Sequence, residues 1–99
     1  MPELNSKQLS HLRALGHKLK PVVMIGNNGL SETVLREIEV SLNAHELIKI
    51  KVFGDERESR LQMLEQICTD TGAVAVHHIG KQLVIYRAAE KTKIEFPNK

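Results

Sequence analysis

Two glycines three residues apart separate an apolar segment from a polar, helix-like segment in this chain of 99 residues. The apolar segment is 22–25, and Gly26, Asn27, Asn28 and Gly29 follow it. Glycine admits positive φ and close backbone approach, and asparagine tolerates the left-handed region better than most residues. Such a loop before a helix can place bare N–H groups and the positive helix end at one point, which suits a phosphate. The spacing is also that of a tight turn that binds nothing, and both interpretations stand at this point.

The charge around this loop is uneven. The formal net charge is +2, yet no Asp or Glu occurs between Leu4 and Ser31. That stretch holds the basic and titratable residues Lys7, His11, Arg13, His17, Lys18 and Lys20. A local basic surface on a nearly neutral protein suggests a polyanionic partner, and a solvated helix face with unbalanced charge is the alternative.

Hydrophobic periodicity predicts three helices and four strands in the order α-β-α-β-α-β-β. The predicted segments are 6–17, 22–25, 31–44, 47–53, 54–72, 73–79 and 83–87, with a hairpin at Gly80-Lys81 and a polar tail at 88–99. Strands joined through helices are expected to be parallel, and the hairpin makes the last strand antiparallel. Because helices must cover at least one sheet face, we expect one α/β domain, a two-layer sandwich with a mixed four-stranded sheet.

The predicted parallel strands place the glycine loop at one edge of the sheet. The carboxyl ends of parallel strands share one edge of the sheet, so that edge should collect the loop, Lys51, Arg57 and the hairpin. Lys18 and Lys20 should mark the opposite end. The candidate polyanion contacts are Gly26, Asn27, Asn28, Gly29, Lys7, Arg13, Lys18, Lys20, Lys51 and Lys81.

Neither catalysis nor metal binding is predicted. Ser31 and Ser41 have no convincing His and carboxylate partners, and no Walker-type lysine follows the loop. His77 and His78 should point to opposite sides of a strand, and the single cysteine, Cys68, fits a helix core position. We therefore expect no enzyme activity, no metal and no cofactor.

The remaining composition limits location and recognition. No apolar run approaches the ~20 residues of a membrane span, and one cysteine fits a reducing cytoplasm. With two Phe, one Tyr and no Trp, stacking of several bases is poorly supported, and contacts to phosphate and sugar are favoured. Tyr86 and Arg87 fit packing plus a surface charge better than a binding role.

Two longer motifs, in order and on the predicted elements, resemble the CRM domain family. They are Leu19-Lys20-Pro21-Val22-Val23 with Ile25-Gly26-x-x-Gly29-Leu30, and Gly80-Lys81-x-Leu83-Val84-x-Tyr86-Arg87. The match runs from about Ser6 to Arg87 and is closest to the small bacterial stand-alone members of the family. The resemblance implies a fold similar to the C-terminal domain of translation initiation factor three.

The resemblance also implies a function. It implies an RNA-binding protein that associates with precursors of the large ribosomal subunit, and we expect this protein to act in ribosome maturation. By analogy with KH domains, the loop from Gly26 to Gly29 would be an RNA contact. We expect a monomer that binds neither DNA nor membrane. The alternative is a protein-interaction module of the ribosome or translation machinery without direct RNA contact.

Overall fold

The computed structural model describes residues 4–26, 29–53 and 56–88 and confirms the predicted order of elements. The elements are α1 (Ser6–His17), β1 (Val23–Ile25), α2 (Glu32–His45), β2 (Leu47–Val52), α3 (Arg57–Thr71), β3 (Val74–Ile79) and β4 (Gln82–Tyr86). The predicted helix start at Gly54-Asp55 and the tail after Ala88 lie outside the described residues. The predicted strands are otherwise shifted by at most one residue at either end.

Side chains close the helix ends. Asn5 Oδ1 accepts from the Gln8 N–H at 2.8 Å, and Gln8 Oε1 accepts from the Asn5 N–H at 2.9 Å, which is a capping box before α1. Serine directly before an apolar-periodic segment predicts a helix cap, and Ser31 Oγ accepts from the Val34 N–H at 3.2 Å at the start of α2. Gly72 ends α3 in the left-handed conformation, with φ at 74°.

The four strands lie side by side in the order β1-β2-β4-β3. β1 is parallel to β2, and β4 is antiparallel to both β2 and β3, so the last strand is antiparallel as predicted. It lies inside the sheet, between two strands that run parallel to each other. β1 and β3 are therefore the edge strands.

The helices α2 and α3 cover one face of the sheet. The core there consists of Val23, Ile25, Ile38, Leu42, Ile48, Ile50, Val52, Leu64, Ile67, Ala73, Leu83 and Ile85. On this face the molecule is the expected two-layer sandwich.

The helix α1 packs on the opposite face, which we call the α1 face. Its core consists of Leu12, Leu47, Val76, Val84 and Tyr86. A Cβ on Gly16 would lie 3.1 Å from Val84 Cγ1, so glycine lets α1 approach the sheet closely. An amphipathic stripe predicts that α1 is packed, but not on which face. α1 thus adds a partial third layer.

The buried side of α3 differs from the prediction. The apolar spacing of Leu61, Leu64, Ile67 and Cys68 predicts that all four face inward. Leu61 is instead 41% exposed, whereas Arg60 is buried. Arg60 Nε donates to His78 Nε2 of β3 at 3.4 Å. A buried arginine requires polar partners, and the apolar periodicity used for the prediction cannot register such a pair.

Candidate functional site

The ends of β1, β2 and the β3–β4 hairpin are tied together by backbone hydrogen bonds. The Phe53 N–H donates to the Ile25 carbonyl, and the Val52 N–H donates to the Lys81 carbonyl, both at 2.8 Å. Gly26 follows Ile25 directly, and Gly80 precedes Lys81. The carboxyl edge, defined by Gly26, Phe53 and the Gly80-Lys81 hairpin, therefore brings together the elements that the parallel topology predicted.

The glycine loop closes as a turn. The Gly29 N–H donates to the Gly26 carbonyl at 3.0 Å. Gly29 has φ at 68°, a conformation that a side chain would strain. Gly29 is thus needed for the turn, and its N–H is used inside the turn. Asn27 and Asn28 lie outside the described residues.

Gly26 has no comparable internal role. Its φ is outside the left-handed region, and a Cβ there would meet none of the described atoms within 4 Å. Gly26 is also exposed. Neither backbone conformation nor packing in the described part of the chain requires glycine here, so the missing side chain leaves room for something outside the chain.

The helix starts at this edge carry negative charge. Glu32 lies in the first turn of α2 and Glu58 in the first turn of α3. Their carboxylates offset the positive ends of both helices. A phosphate at the carboxyl edge would therefore depend on nearby cations more than the glycine motif alone suggests.

Cations and apolar groups lie side by side on the α1 face at this edge. Residues paired across a sheet share a face, so Met24, Lys51 and Gln82 form one row across three strands. Met24 is 59% exposed and Phe53, one residue beyond β2, is 46% exposed. The Lys51 Nζ lies 5.2 Å from the centre of the Phe53 ring, which places the ring on the α1 face. Sequence reasoning missed Met24 and Phe53; the alternation of β2, continued by one residue, could have placed Phe53 beside Lys51.

Two other predicted basic residues lie at the opposite end of the sheet. Lys18 and Lys20 line a cleft of about 500 Å³ between the end of α1 and the starts of β1 and β2. This α1 cleft is lined by Leu15, Lys18, Leu19, Lys20, Val22, His45, Leu47, Ile48 and Lys49. Most of these side chains are aliphatic. The structure thus separates the predicted basic contacts into one group with the glycine turn and one group away from it.

The remaining predicted cations lie on α1. Lys7 is exposed in its first turn. Arg13 is also exposed, and its Nε donates to the Val76 carbonyl at 3.0 Å. This bond ties Arg13 to β3, so part of its guanidinium holds α1 on the sheet.

Three further titratable side chains, those of His77, His78 and Cys68, make contacts within the protein. Burial, and then the charge of Arg13 and the neighbouring His17, lower the pKa of His77, whose ring contacts that of His17 on the α1 face. His78 lies on the opposite face against Arg60, which confirms that the two histidines point apart. Burial raises the pKa of the Cys68 thiol, and Cys68 packs against the core as predicted.

Tyr86 and Arg87 also have structural roles. Tyr86 is 4% exposed in the α1-face core. Arg87 pairs with the Glu39 carboxylate at 2.9 Å and donates to the Thr71 carbonyl at 2.8 Å, linking β4 to α2 and α3. The predicted packing of Tyr86 is confirmed, and Arg87 is held by an ion pair and a hydrogen bond within the protein.

Two other features, a metal-binding cluster and a membrane-spanning helix, are absent from the described part of the chain. Within residues 4–26, 29–53 and 56–88, no three His, Cys, Asp or Glu side chains are grouped so that they could hold a metal ion. Over the same residues, no helix has the length and apolar character required to cross a membrane.

Comparison with known protein families gives a match over most of the chain. Residues 4–87 match the family model described as the CRS1/YhbY (CRM) domain. This range includes every element of the fold and the whole carboxyl edge.

Individual relatives agree with this match. An RNA-binding protein of Haemophilus influenzae is 50% identical over 99 residues, covering 100% of both chains. A protein of Pseudomonas aeruginosa named as a probable RNA-binding protein is 41% identical and covers 97% of this chain and 88% of its own. The solution structure of a Staphylococcus aureus protein of proposed RNA-binding function superposes with a TM-score of 0.84 at 33% identity, covering 96% of this chain and 100% of that one.

Proposed function

We propose that this chain, which belongs to the CRS1/YhbY (CRM) domain family, binds RNA at the carboxyl edge of its sheet. The observation that carries the proposal is Gly26, an exposed glycine for which the described structure provides no internal reason. It follows the end of β1 at the same sheet edge as Lys51 and Lys81, where the strand ends are tied together. A bare backbone beside two cations suits the sugar–phosphate chain, which positions a nucleic acid without reading its sequence.

The finer proposal concerns which RNA is bound. The family resemblance implies precursors of the large ribosomal subunit, and we propose a role in ribosome maturation. We also propose that the protein acts in the cytoplasm as a monomer. The relatives' names, which describe RNA binding and no reaction, support a role without catalysis. We take the chain to be one RNA-binding domain.

The α1 cleft favours a second candidate, a protein contact. Its mostly aliphatic lining and its lysines suit an acidic segment with apolar side chains better than a nucleobase, because the lining offers no Phe, Tyr or Trp ring for stacking. Binding to such a partner would survive nuclease treatment, and its apolar part would resist high salt. RNA binding is lost under both conditions.

The loop is tested by replacing both Asn27 and Asn28 with Asp. Two carboxylates beside the glycine turn would repel phosphate, so we expect RNA affinity to fall strongly while the melting temperature stays near that of the wild type. The matched control is Asn5→Asp with Asn43→Asp, which adds the same charge. Both of these side chains accept hydrogen bonds through Oδ1, and aspartate retains that ability. Wild-type RNA affinity in a stable Asn27/Asn28 variant would reduce the loop to a structural turn.

The RNA partner is tested by crosslinking the protein to RNA in cells and mapping the crosslinked nucleotides. We expect crosslinks concentrated in ribosomal RNA of large-subunit precursors, with the protein sedimenting with those particles. Crosslinks spread over unrelated transcripts would contradict the ribosomal proposal while leaving RNA binding intact.

A further inference from the structure

We infer that Phe53, with Met24 and Lys51, forms a platform on which one unpaired nucleobase of the bound RNA stacks. This inference rests on the proposed RNA binding and adds a base contact to the phosphate contacts at the same edge. The ligand class is a single-stranded nucleotide held next to the glycine turn.

The geometry places these three side chains together. Met24 pairs with Lys51 across β1 and β2, and the Phe53 N–H bonds to the Ile25 carbonyl, one residue beyond Met24. The Lys51 ammonium lies 5.2 Å from the centre of the Phe53 ring. One ring, one thioether and one cation therefore share a small area on the α1 face, immediately beside Gly26.

The apolar members of this patch are accessible to a ligand. Phe53 is 46% exposed and Met24 is 59% exposed, although both are apolar. Tyr86, the other described residue among Phe, Tyr and Trp, is 4% exposed and belongs to the core. Among the Phe, Tyr and Trp side chains in the described ranges, Phe53 is thus the one that a ligand can reach.

Charge complementarity identifies the occupant. Lys51 lies in the row, Lys81 lies on the adjoining hairpin, and Gln82, the neighbour of Lys51 on β4, is neutral. A nucleotide presents a flat ring to Phe53 and a phosphate to these lysines, and base stacking on aromatic rings is largely independent of sequence. A neutral apolar peptide would match the ring but leave the cations unused.

The test uses an oligoribonucleotide that carries 2-aminopurine, presented either single-stranded or annealed to its complement. We expect Phe53→Leu, which keeps an apolar side chain but removes the ring, to weaken single-strand binding by roughly tenfold to a hundredfold. Duplex affinity should stay near wild type, because paired bases cannot stack on the ring. Phe53→Trp should retain binding and the quenching of 2-aminopurine fluorescence.

Two controls separate stacking from charge and from folding. Leu61→Ala removes an equally exposed apolar side chain on α3 and should leave affinity unchanged. The slope of log affinity against log salt should be the same for Phe53→Leu and wild type, because no phosphate contact is lost.

Unchanged single-strand affinity in Phe53→Leu, or an equal loss for duplex RNA, would overturn the platform. RNA binding at the edge would then still stand if the Asn27/Asn28 variant fails to bind, and the failure of wild type to bind any RNA would overturn both.

Discussion

At the scale of single residues, the two glycines of the turn have different structural roles. Gly29 has positive φ and gives its N–H to the turn. Gly26 accepts that bond, but it does not have positive φ, and a Cβ on it would meet none of the described atoms within 4 Å. The sequence alone shows two equivalent glycines, because spacing contains no information about φ. Replacement of Gly26 by alanine therefore tests close approach of a ligand without straining the backbone. The Gly-x-x-Gly spacing alone does not indicate this difference between the two glycines.

We predict opposite effects from alanine at the two positions. Gly29→Ala should lower the free energy of unfolding by about 1–2 kcal/mol, because alanine is strained in the left-handed region. Gly26→Ala should leave stability unchanged or raise it by about 0.4–1 kcal/mol through the unfolded chain, while weakening RNA binding by blocking close approach. Thermal melts and binding titrations on both variants check this. Undiminished RNA affinity in Gly26→Ala would show that no ligand backbone approaches there.

At the scale of elements, α1 is held on the sheet by close approach as well as by apolar burial. Gly16 lies against Val84, and Arg13 is bonded to the Val76 carbonyl. This helix also forms one wall of the α1 cleft. The position of α1 thus determines the shape of the α1 cleft, the second candidate binding surface.

A larger side chain at Gly16 tests this packing. Gly16→Leu would force α1 away from Val84 and should cost about 1–3 kcal/mol of unfolding free energy, a typical penalty for overpacking. Ala14→Leu adds a leucine on the exposed side of the same helix and should change stability little. Denaturant unfolding compares the two variants. Equal midpoints would contradict close packing of α1 on the sheet.

The sequence predicted the bounds of the helices and strands more accurately than it predicted which of their faces are covered. The span of α1, the Ser31 cap, the Gly72 cap and the antiparallel last strand all follow from local rules, namely apolar periodicity, capping chemistry and short hairpins. The face that α1 covers depends on contacts far apart in the chain, which periodicity cannot supply. The burial of Arg60 likewise depends on His78, eighteen residues away.

The candidate site was predictable in part for the same reasons. Parallel topology brings Gly26, Lys51 and Lys81 to one edge, and this followed from the order of elements alone. The exposure of Phe53 did not follow, because a strand-end phenylalanine is buried or exposed according to what packs over it. The assignment of the candidate polyanion contacts to RNA binding stays a prediction.

At the scale of the whole molecule, the basic residues are divided between two ends of the sheet. Lys51 and Lys81 lie at the carboxyl edge with the glycine turn, and Lys18 and Lys20 lie at the α1 cleft. The net charge of +2 conceals this division. We propose that the carboxyl edge, and not the α1 cleft, is the main RNA-binding surface.

The salt dependence of RNA affinity tests that claim most directly, using two double variants that each remove two positive charges. The edge variant is Lys51→Gln with Lys81→Gln, and the cleft variant is Lys18→Gln with Lys20→Gln. For a single-stranded oligoribonucleotide, the edge variant should lose affinity and flatten the log–log salt slope by about 0.7 for each phosphate contact removed. The cleft variant should show the smaller change in both quantities. A larger loss of affinity and slope in the cleft variant, with both proteins folded, would contradict the assignment of RNA binding to the carboxyl edge.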